Sequence, residues 1–495
     1  MKDLLLGIDV GTTSTKALLY DLSGNEVARA SSHPYQNDTS TPGWVEQDPE
    51  QLWKAFLETI TKVLQNAGKY VSVRAISIAA QSGSLIPADE EGNPVYPLIT
   101  WLDGRTRETV TEWKAAGYES EVKAITGWSL YPGLCLPTIA WLEKNNPQVF
   151  RSAKQYFSVN DFLVYRLTGK KITNPSNAGG MQLVDLFSMD WSEKICKLAG
   201  IRKEQLSEIQ PSGTIIGEVS AEICKLTGLT PGVVVVNGGH DQGCTAFSLG
   251  IVDPGKLLLS CGTAWVFTGL LDSLYLNGLP PTLDLNFHVA QQRWTLSQSL
   301  GGLGASFEWW VNKAWQSESL VTGRTEIYNL VNDELMQTEI DGGLFFLPMT
   351  GGHDNPATTK SGGFAGLQFN HSRANLARAI MESAGYELNW AIETIQQAGL
   401  SVEQLWMVGG AAQSEVWPSI LSNVCNIPIF IPQYDNWPAL GAALLAGTGI
   451  GINNIIDNAG DSFLDKTKRI SPDNNKIKKY QAAFQKYKKY CDVLQ

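Results

Sequence analysis

The residues with the clearest chemical potential follow one buried strand near the middle of the chain. Residues 233–236 are four consecutive valines, which predict a strand that is buried on both faces. The strand leads through Asn237-Gly238-Gly239, which loosens the backbone, to His240 and Asp241. A carboxylate at this position could accept a proton, because open α/β sheets form crevices at the ends of their strands. The alternative is that Asp241 only caps the helix that follows.

A polar turn near the N-terminus could bind phosphate and a metal ion. Residues 4–21 predict a strand, a tight turn and a second strand. Gly11 lets the backbone approach a ligand, and its neighbours Thr12 and Thr13 add hydroxyls to an anion-binding nest of N–H groups. Asp9, just before the turn, could hold magnesium through water, as carboxylates do when the ion is shared with phosphates. An ordinary hairpin is the alternative.

Two later glycine turns have related patterns. Residues 256–269 repeat the plan of a leucine-rich strand, a Gly262-Thr263 turn and a second strand, which predicts a weak internal duplication. Residues 404–414 predict a strand that runs into a small-residue turn. A backbone without side chains can lie flat against a ligand such as adenine. A glycine elbow for strand–helix packing is the alternative. The residues concerned in this second turn are Gly409, Gly410, Ala411, Gln413 and Ser414.

Further polar groups follow the predicted strands 71–80 and 95–101. Gln81 and Ser82 come after the first strand, and Trp101 and Asp103 lie at the end of the second. Because strand ends meet at one edge of such a sheet, a small-molecule pocket is expected there. Asp103 could hold a hydroxyl, with an internal ion pair to Arg105 as the alternative. The polar segment 176–183 is expected to be flexible and could reach the same pocket.

Several amphipathic or small-residue patterns predict the helices around these strands. The segment 439–446 has small residues at five of its eight positions, four alanines and Gly441, so its helix would pack very closely. In the tail, four apolar residues at helical spacing form a stripe that would dock on the body: Tyr480, Phe484, Tyr487 and Cys491. A further helix is predicted to begin at Pro49, with Asp48 as its N-cap. Three more are predicted over 136–144, 153–167 and 373–398.

Length and composition limit the class of protein. A chain of 495 residues with 43% hydrophobic and 18% charged residues is expected to be globular, with two or more domains. The net charge of -11 argues against nucleic acid or an anionic membrane as the main partner. No apolar run or leader is visible, which predicts a cytoplasmic protein. Seven scattered cysteines and five histidines argue against a disulfide framework or a zinc site.

Taken together, these segments resemble the FGGY carbohydrate kinases over nearly the whole chain. The most specific part is 362–367, Gly-Gly-Phe-Ala-Gly-Leu, followed by 375–382; residues 43–49 and 101–105 are similar to segments of xylulose kinases. The resemblance implies an α/β fold of duplicated actin-like, ribonuclease H-like domains with a central cleft. It also implies an N-terminal sugar-binding and catalytic domain at 1–247 and a nucleotide-binding domain at 248–452. The helical tail at 453–495 is expected to dock on the body.

The resemblance implies transfer of the γ-phosphate of ATP, with Mg²⁺, to a hydroxyl of a xylulose-like ketopentose or a related sugar or polyol. Asp241 matches the general base and Asp9 the magnesium-associated carboxylate. The implied phosphate-binding residues are Gly11, Thr12, Thr13, Gly262 and Thr263. The implied adenosine turn contains Gly409, Gly410 and Ala411, with Gln413 and Ser414 beside it. The implied sugar pocket is lined by Gln81, Ser82, Trp101, Asp103 and Asp241.

Some residues depart from the family pattern, and other functions stay open. Xylulose kinases usually carry Met-His after the glutamine that Gln81 matches, whereas this chain has Ser82-Gly83. Gluconate, glycerol, ribulose and tetritol kinases are therefore alternatives within the family. Other classes are a non-catalytic actin-like ATP-binding sensor module and an ATPase or phosphatase. Retention of Asp9 and Asp241 argues against the sensor module, because binding alone needs no base. A homodimer is one option for the assembly.

Overall fold

The computed structural model describes residues 2–274, 279–319, 322–353, 362–452 and 466–494, which divide into two compact units. In their described parts, unit 1 comprises 2–252, 284–295 and 434–452, and unit 2 comprises 253–283, 296–433 and 466–494. The units differ from the predicted linear domains, because residues 284–295 and 434–452 pack with unit 1. Most of the tail packs with unit 2, while its first residues, 453–465, lie outside the described residues.

Helices and strands alternate along much of the chain, and none of the helices in the described ranges is long and apolar enough to cross a bilayer. The strands are β1 Lys2–Val10, β2 Thr15–Asp21, β3 Glu26–Ser31, β4 Glu46–Gln47, β5 Val71–Ala80, β6 Ile86–Ala88, β7 Leu98–Ile99, β8 Gln155–Phe157, β9 Ile172–Thr173, β10 Val184–Asp185, β11 Asp190–Trp191, β12 Glu208–Ile209, β13 Ile215–Glu218, β14 Val234–His240, β15 Gly255–Cys261, β16 Trp265–Leu271, β17 Asp284–Phe287, β18 Trp294–Gly301, β19 Phe345–Leu347, β20 Gly363–Ala365, β21 Val402–Val408, β22 Ile429–Ile431 and β23 Lys468–Ile470. The α-helices are α1 Pro49–Ala67, α2 Arg107–Ala115, α3 Tyr118–Thr126, α4 Cys135–Asn145, α5 Pro147–Ser152, α6 Val159–Thr168, α7 Pro175–Gly179, α8 Glu193–Leu198, α9 Ala221–Thr227, α10 Asp241–Ser248, α11 Leu303–Ala314, α12 Gln316–Ser319, α13 Arg324–Met336, α14 Arg373–Gln397, α15 Trp417–Cys425, α16 Trp437–Gly449 and α17 Asn474–Leu494.

The main sheet of unit 1 has the strand order β13-β14-β5-β1-β2-β3. β1 is antiparallel to β2 and parallel to β5, and β14 is parallel to β5. Asp9 lies opposite Ala79 of β5, and His240 lies opposite Ala80. The carboxyl ends of β1, β5 and β14 therefore meet at one edge of the sheet. This confirms that the polar residues after these strands gather in one place.

Helix α16 packs directly on β1 and α10 within unit 1, as its small residues predict. A Cβ on Gly7 of β1 would overlap the carbonyl oxygen of Ala439. A Cβ on Gly441 would overlap the carbonyl oxygen of Cys244. Only glycine permits both approaches, so this packing explains why residues 434–452 pack with unit 1 although they are far from it in sequence.

The strands of unit 2 run in the order β18-β16-β15-β21-β22-β23. β15 is antiparallel to β16 and parallel to β21, β22 is parallel to β21, and β23 is antiparallel to β22. Read from the other end, the unit 1 sheet has the order β3-β2-β1-β5-β14-β13. Its pairs β1–β2, β1–β5, β5–β14 and β14–β13 are antiparallel, parallel, parallel and antiparallel, as are the corresponding pairs of unit 2. The internal duplication predicted from two similar hairpins is thus present in the topology of the two sheets.

The C-terminal helix α17 belongs to unit 2 and buries the predicted apolar stripe. Tyr480, Phe484 and Tyr487 are each at most 3% exposed, and Cys491 is also buried. The Tyr487 hydroxyl donates a hydrogen bond to Oε1 of Glu387 in α14 at 2.5 Å. The stripe therefore docks through both apolar contacts and a buried polar contact.

Two predicted elements are wrong in extent. The strand predicted over 95–101 is only Leu98–Ile99, since Pro94 and Pro97 cannot donate to a strand ladder. The helix predicted over 153–167 is instead strand Gln155–Phe157 followed by helix Val159–Thr168. Ser158 between them has extended backbone, which starts the helix six residues later than predicted. Short apolar runs do not by themselves separate strand from helix.

Candidate active site

Two carboxylates lie together at the end of the unit 1 sheet. Asp9 is the second-last residue of β1, and Asp241 is the first residue of α10, directly after β14. Burial, followed by the negative charge of Asp241, raises the pKa of Asp9 to about 7. Lys16, which lies opposite Asp9 in the hairpin, acts in the other direction. The two carboxylates are therefore close enough for the charge of one to affect ionisation of the other.

Asp241 is presented at the start of a helix and is contacted by its neighbour. His240, not Asp241, is the N-cap residue of α10, so the capping alternative is not what the structure shows. The His240 Nε2 atom lies 3.0 Å from Oδ1 of Asp241, and the two side chains are 22% and 25% exposed. A negative charge in the first turn of a helix is favourable. A partly exposed carboxylate is accessible to a substrate hydroxyl, as a general base must be.

Side chains from three segments fix the turn after β1. The Thr12 hydroxyl donates to Oε1 of Gln81 at 3.1 Å and accepts a hydrogen bond from Nε1 of Trp101 at 2.9 Å. Nε2 of Gln47 donates to the Thr12 carbonyl oxygen at 2.7 Å. Thr13 is exposed. The turn is thus held in place, with Thr13 presented to solvent as an anion-binding nest requires.

The wall beside this turn contains polar groups without partners. Nε2 of Gln81 and Oγ of Ser82 are buried, and neither has a hydrogen-bond partner among the residues that the structure describes. Trp101 next to them is 44% exposed although its indole N–H is bonded to Thr12. Buried polar atoms without partners are rare in native proteins. Hydroxyls of a bound polyol could satisfy them while its carbon skeleton packs on the ring of Trp101.

Asp103 does not have the capacity to bind a hydroxyl that was predicted for it. Its Oδ1 accepts from the backbone N and Nε of Arg105, at 2.9 and 2.8 Å. Its Oδ2 accepts from the backbone N of Val45 and from Nη2 of Arg105, at 2.6 and 2.8 Å. These four bonds use the lone pairs of both oxygens. The guanidinium also bonds Glu46 and lies 3.8 Å from the ring centre of Trp44. Asp103 therefore forms the internal ion pair that was the alternative.

Sequence reasoning missed three residues that shape this site: Lys16, Gln47 and the ring of His240. Lys16 could have been found, because a regular hairpin with its turn at 11–14 places residue 16 opposite residue 9. Gln47 gives no such signal, since its contact with Thr12 is between residues 35 positions apart. The segment expected to be flexible at 176–183 also differs. Its first residues belong to the buried helix α7.

In unit 2, the two predicted nucleotide turns lie side by side. Gly262 and Thr263 follow β15 and are exposed, as are Gly409 and Gly410 after β21. Gly409 has φ +97°, and a Cβ there would lie 2.7 Å from the carbonyl oxygen of Cys261, at the end of β15. Both turns therefore expose backbone at neighbouring strand ends, which suits contact with phosphate or a flat base.

Helix α11 supports the first of these turns. The backbone N of Ala305 donates to the carbonyl oxygen of Thr263 at 3.0 Å. A Cβ on Gly304 would overlap the carbonyl oxygen of Gly262. The glycine at position 304 therefore lets the start of α11 contact the turn directly.

The residues after the second turn have different environments. Ala411 and Gln413 belong to a 3₁₀ helix, Gly410–Gln413, and Gln413 is exposed. The Ser414 hydroxyl donates to Oδ1 of Asn332 at 3.0 Å. It also accepts from the backbone N atoms of residues 416 and 417, each at 3.2 Å. Ser414 therefore stabilises the start of α15, and its hydroxyl has no remaining capacity for the predicted contact with a nucleotide.

The carboxylate pair fits a magnesium ion that is shared with a nucleotide. In the described part of the chain, no three His, Cys, Asp or Glu side chains form a group that could hold a metal. Magnesium does not need such a group, since it usually takes one or two carboxylates together with water and phosphate oxygens. Burial and the charge of Asp241 disfavour ionisation of Asp9, and a divalent cation would offset this effect. The donor set therefore fits magnesium bound together with ATP phosphates.

Comparison with known proteins gives a consistent result for both halves of the chain. Residues 4–248 match the model of the FGGY family of carbohydrate kinases, N-terminal domain. Residues 257–450 match the C-terminal domain of the same family. Together the two matches cover most of the 495 residues.

Individual relatives are named as kinases of several small molecules. The chain is 29% identical to the xylulose kinase of Escherichia coli (strain K12), over 90% of this chain and 89% of that protein. It is 27% identical to the autoinducer-2 kinase of Yersinia enterocolitica, over 97% and 93%. The solved xylulose kinase of Rhodospirillum rubrum has a TM-score of 0.91 at 25% identity, over 99% of each chain. The gluconate kinase of Lactobacillus acidophilus, at 24% identity over 100% of this chain and 98% of that chain, has the same fold with a TM-score of 0.91. The glycerol kinase of Plasmodium falciparum, solved with ADP, has a TM-score of 0.88 at 24% identity, over 99% and 98%.

Proposed function

The chain belongs to the FGGY family of carbohydrate kinases and is a phosphotransferase with a sugar hydroxyl as acceptor, and we propose that its substrate is a xylulose-like ketopentose. The single observation that carries the residue assignments is the pair of carboxylates, Asp9 and Asp241, at the ends of β1 and β14, the two strands that flank β5. One of them serves as base and the other as the contact for a metal. The family implies ATP as phosphate donor.

Asp241 accepts the proton of the attacking hydroxyl in this proposal. The oxygen of that hydroxyl forms a bond to the γ-phosphorus of ATP, the bond from that phosphorus to the β–γ bridging oxygen breaks, and ADP leaves. Phosphoryl transfer has a loose transition state, so positioning and charge stabilisation matter more than covalent chemistry. The contact of His240 Nε2 with Asp241 supports this role, because it restrains the carboxylate that must meet the hydroxyl.

The Asp9 carboxylate, when ionised, would hold magnesium directly or through water. Bound magnesium would neutralise charge on the phosphates of ATP. The pKa of about 7 for Asp9 means that protons compete with the metal just below neutral pH. Gly11 and Thr13 in unit 1, and Gly262 and Thr263 in unit 2, offer backbone and hydroxyl groups for phosphate, and Gly409, Gly410 and Ala411 offer a side-chain-poor surface for adenosine. Thr12 acts chiefly through its contacts with Gln81 and Trp101.

The sugar contacts in this proposal are Gln81, Ser82, Trp101 and Asp241. The partnerless atoms of Gln81 and Ser82 support it. Asp103 is omitted, since its oxygens are fully used. The alternative substrates are gluconate, glycerol and autoinducer-2, for which related kinases are named, together with ribulose and tetritols. A cytoplasmic location and a homodimer stay predictions from the sequence.

The test is coupled ADP release with magnesium-ATP over a panel of xylulose, ribulose, gluconate, glycerol, a tetritol and autoinducer-2. Wild type is compared with Asp241→Asn and with the control Asp38→Asn. Asp38 is a carboxylate of unit 1 that accepts a hydrogen bond from the backbone N–H of Ser40 in its own loop. One sugar should stimulate turnover in wild type and in Asp38→Asn. Loss of the base should reduce it about a hundredfold or more. Stimulation by another sugar in place of xylulose would reassign the substrate, and full activity of Asp241→Asn would refute the role of Asp241.

A further inference from the structure

Helix α7 connects the strand ends that carry the active site. It spans only Pro175–Gly179, but its Ser176 and Asn177 are almost completely buried. The backbone N–H of His240 donates to Oγ of Ser176 at 2.9 Å. Nδ2 of Asn177 lies 3.4 Å from the carbonyl oxygens of both Ala80 and Gln81. One short helix therefore contacts both the strand end before Asp241 and the strand end that carries Gln81.

The hydroxyl of Ser176 is itself held in a defined orientation. It donates to Oδ1 of Asn174 at 2.7 Å, so its lone pair is directed to the amide of His240. Nδ2 of Asn174 donates to Oδ1 of Asn177 at 2.9 Å and to Oδ1 of Asn160 at 3.2 Å. These four side chains are each at most 1% exposed. Because the network is buried and its members are bonded to one another, it is rigid in the sense that no member can turn without leaving a polar group unpaired.

The network lies where the sheet itself is irregular. The pairing of β14 with β5 shifts register between Val236 and Gly239, two residues before Asp241. In this part of β5, the carbonyl oxygen of Ile78 accepts a bond from Nδ2 of Asn160 at 3.2 Å. Side chains therefore contribute hydrogen bonds where the ladder is disturbed. The position of the residue after His240 depends on these side chains as well as on the strand pairing.

The glycines that follow Ser176 allow this close approach. A Cβ on Gly180 would overlap Oγ of Ser82, and a Cβ on Gly179 would overlap Oδ1 of Asn286. Nδ2 of Asn286 in turn donates to the carbonyl oxygen of Ser176 at 2.9 Å. The segment is thus fitted against the proposed sugar wall on one side and the strand end of the base on the other.

From these contacts we infer that Ser176 is a positioning residue for catalysis, which holds Asp241 in place through the backbone amide of His240. The inference rests on the proposed role of Asp241 as base. Ser176 acts through the His240 amide, so its effect is on where the base lies and how well it is held. A change there should lower kcat more than it raises KM.

The first test is Ser176→Ala, with kcat and KM measured for the sugar that stimulates turnover. The substitution removes the acceptor of the His240 amide, and kcat is expected to fall roughly tenfold to a hundredfold, as for misplacement of a catalytic group. KM for the sugar and for ATP should stay close to the wild-type values. Ser176→Thr keeps the hydroxyl and should recover most of kcat. Ser192→Ala is the matched control: it removes a different buried hydroxyl in the same unit, one that caps α8, and should keep wild-type kcat.

A double-mutant cycle separates positioning from general loss of structure. If Ser176 acts through Asp241, adding Ser176→Ala to Asp241→Asn should not lower the residual kcat further, since the group that it positions is already absent. A further tenfold fall in the double variant would overturn the inference, as would an unchanged kcat in Ser176→Ala. If Asp241→Asn alone keeps full turnover, the proposed base is wrong, and that failure is separate from a result on Ser176. Circular dichroism and the urea midpoint show whether each variant folds. If Ser176→Ala does not fold, Ser176→Thr is used in its place. A folded Ser176→Thr with a kcat as low as that of Asp241→Asn would refute the inference.

Discussion

Substitution of Asp9 by asparagine should change how the stability of the protein depends on pH. In the folded protein, burial and then the charge of Asp241 raise the pKa of Asp9 from 3.8 to about 7. A carboxyl group whose pKa is raised by folding stabilises the native state below pH 3.8. That contribution is lost as the pH rises through about 7, because the unfolded chain ionises first. Asparagine has no such proton, so this dependence should be absent from Asp9→Asn.

The size of the effect follows from the pKa difference. Each pH unit over which the folded and unfolded states differ by one bound proton is worth about 1.4 kcal/mol in the free energy of unfolding. Between pH 5 and pH 7 the unfolded Asp9 is ionised and the folded one is largely protonated. Relative to Asp9→Asn, wild type should therefore lose up to about 3 kcal/mol between pH 5 and pH 8 in the absence of magnesium. Wild type should also be the more strongly stabilised of the two by magnesium at pH 8, since the variant has one carboxylate fewer for the ion.

The assay is urea unfolding followed by tryptophan fluorescence at pH 5, 6, 7 and 8, for wild type and Asp9→Asn. Because two units can unfold separately, the comparison uses the transition that the substitution moves. Asp38→Asn is the control. The backbone N–H of Ser40 lowers the pKa of Asp38, so this group is ionised throughout the range in both states. If the difference in the free energy of unfolding between wild type and Asp9→Asn stays constant from pH 5 to pH 8, Asp9 is not protonated near neutral pH. The proposed competition between protons and magnesium would then be wrong as well.

Three other substitutions test the packing of the two units. Arg105→Ala should lower the free energy of unfolding by about 3–5 kcal/mol in urea, because it leaves Asp103 buried and unpaired; a loss below about 1 kcal/mol, typical of an exposed pair, would contradict this. Tyr487→Phe should lower the free energy of unfolding by about 1–3 kcal/mol, because buried Glu387 of α14 loses a hydrogen-bond donor. Tyr490→Phe should change it little, because that ring is 39% exposed. Gly304→Ala should weaken ATP binding in calorimetry by displacing the carbonyl of Gly262, and unchanged affinity would exclude support of that turn by α11.

The sequence was most informative where one local pattern determines one structure. The valines before Asn237 predicted a buried strand, and the structure has β14 there with Asp241 directly after it. The spacing of Tyr480 and Tyr487 predicted a docked helical stripe, and both side chains are buried. In these cases neighbouring residues share one environment, so periodicity is enough to predict it.

Sequence reasoning was least informative where the outcome depends on residues distant in the chain. Helix α16 follows unit 2 in sequence but packs on β1, and only the glycines at 7 and 441 show that such contact is sterically allowed. Asp103 was equally suited to an ion pair or a sugar contact until the positions of Val45 and Glu46 were known. Segment 176–183 was predicted to be flexible because it is polar, whereas its one asparagine, Asn177, is buried and accepts a hydrogen bond from Asn174. Composition cannot distinguish a solvated polar segment from a buried network.

The two units use the same topology but hold their first turn in different ways, and this difference fits a division of chemical roles. In unit 1 the turn is held by polar side chains, through the hydroxyl and the carbonyl of Thr12, next to the carboxylate of Asp9. In unit 2 the corresponding turn is held by backbone contact with the start of α11, which requires Gly304. A turn held by side chains can be tuned by substitution for a metal and a particular sugar, whereas a turn held by backbone and glycine can serve phosphate in any substrate complex. We therefore expect exchange of Ser82 to alter sugar preference in the coupled ADP-release assay while leaving the affinity for ATP unchanged. Exchange of Gln81, which accepts a hydrogen bond from Thr12 in the turn, should affect both.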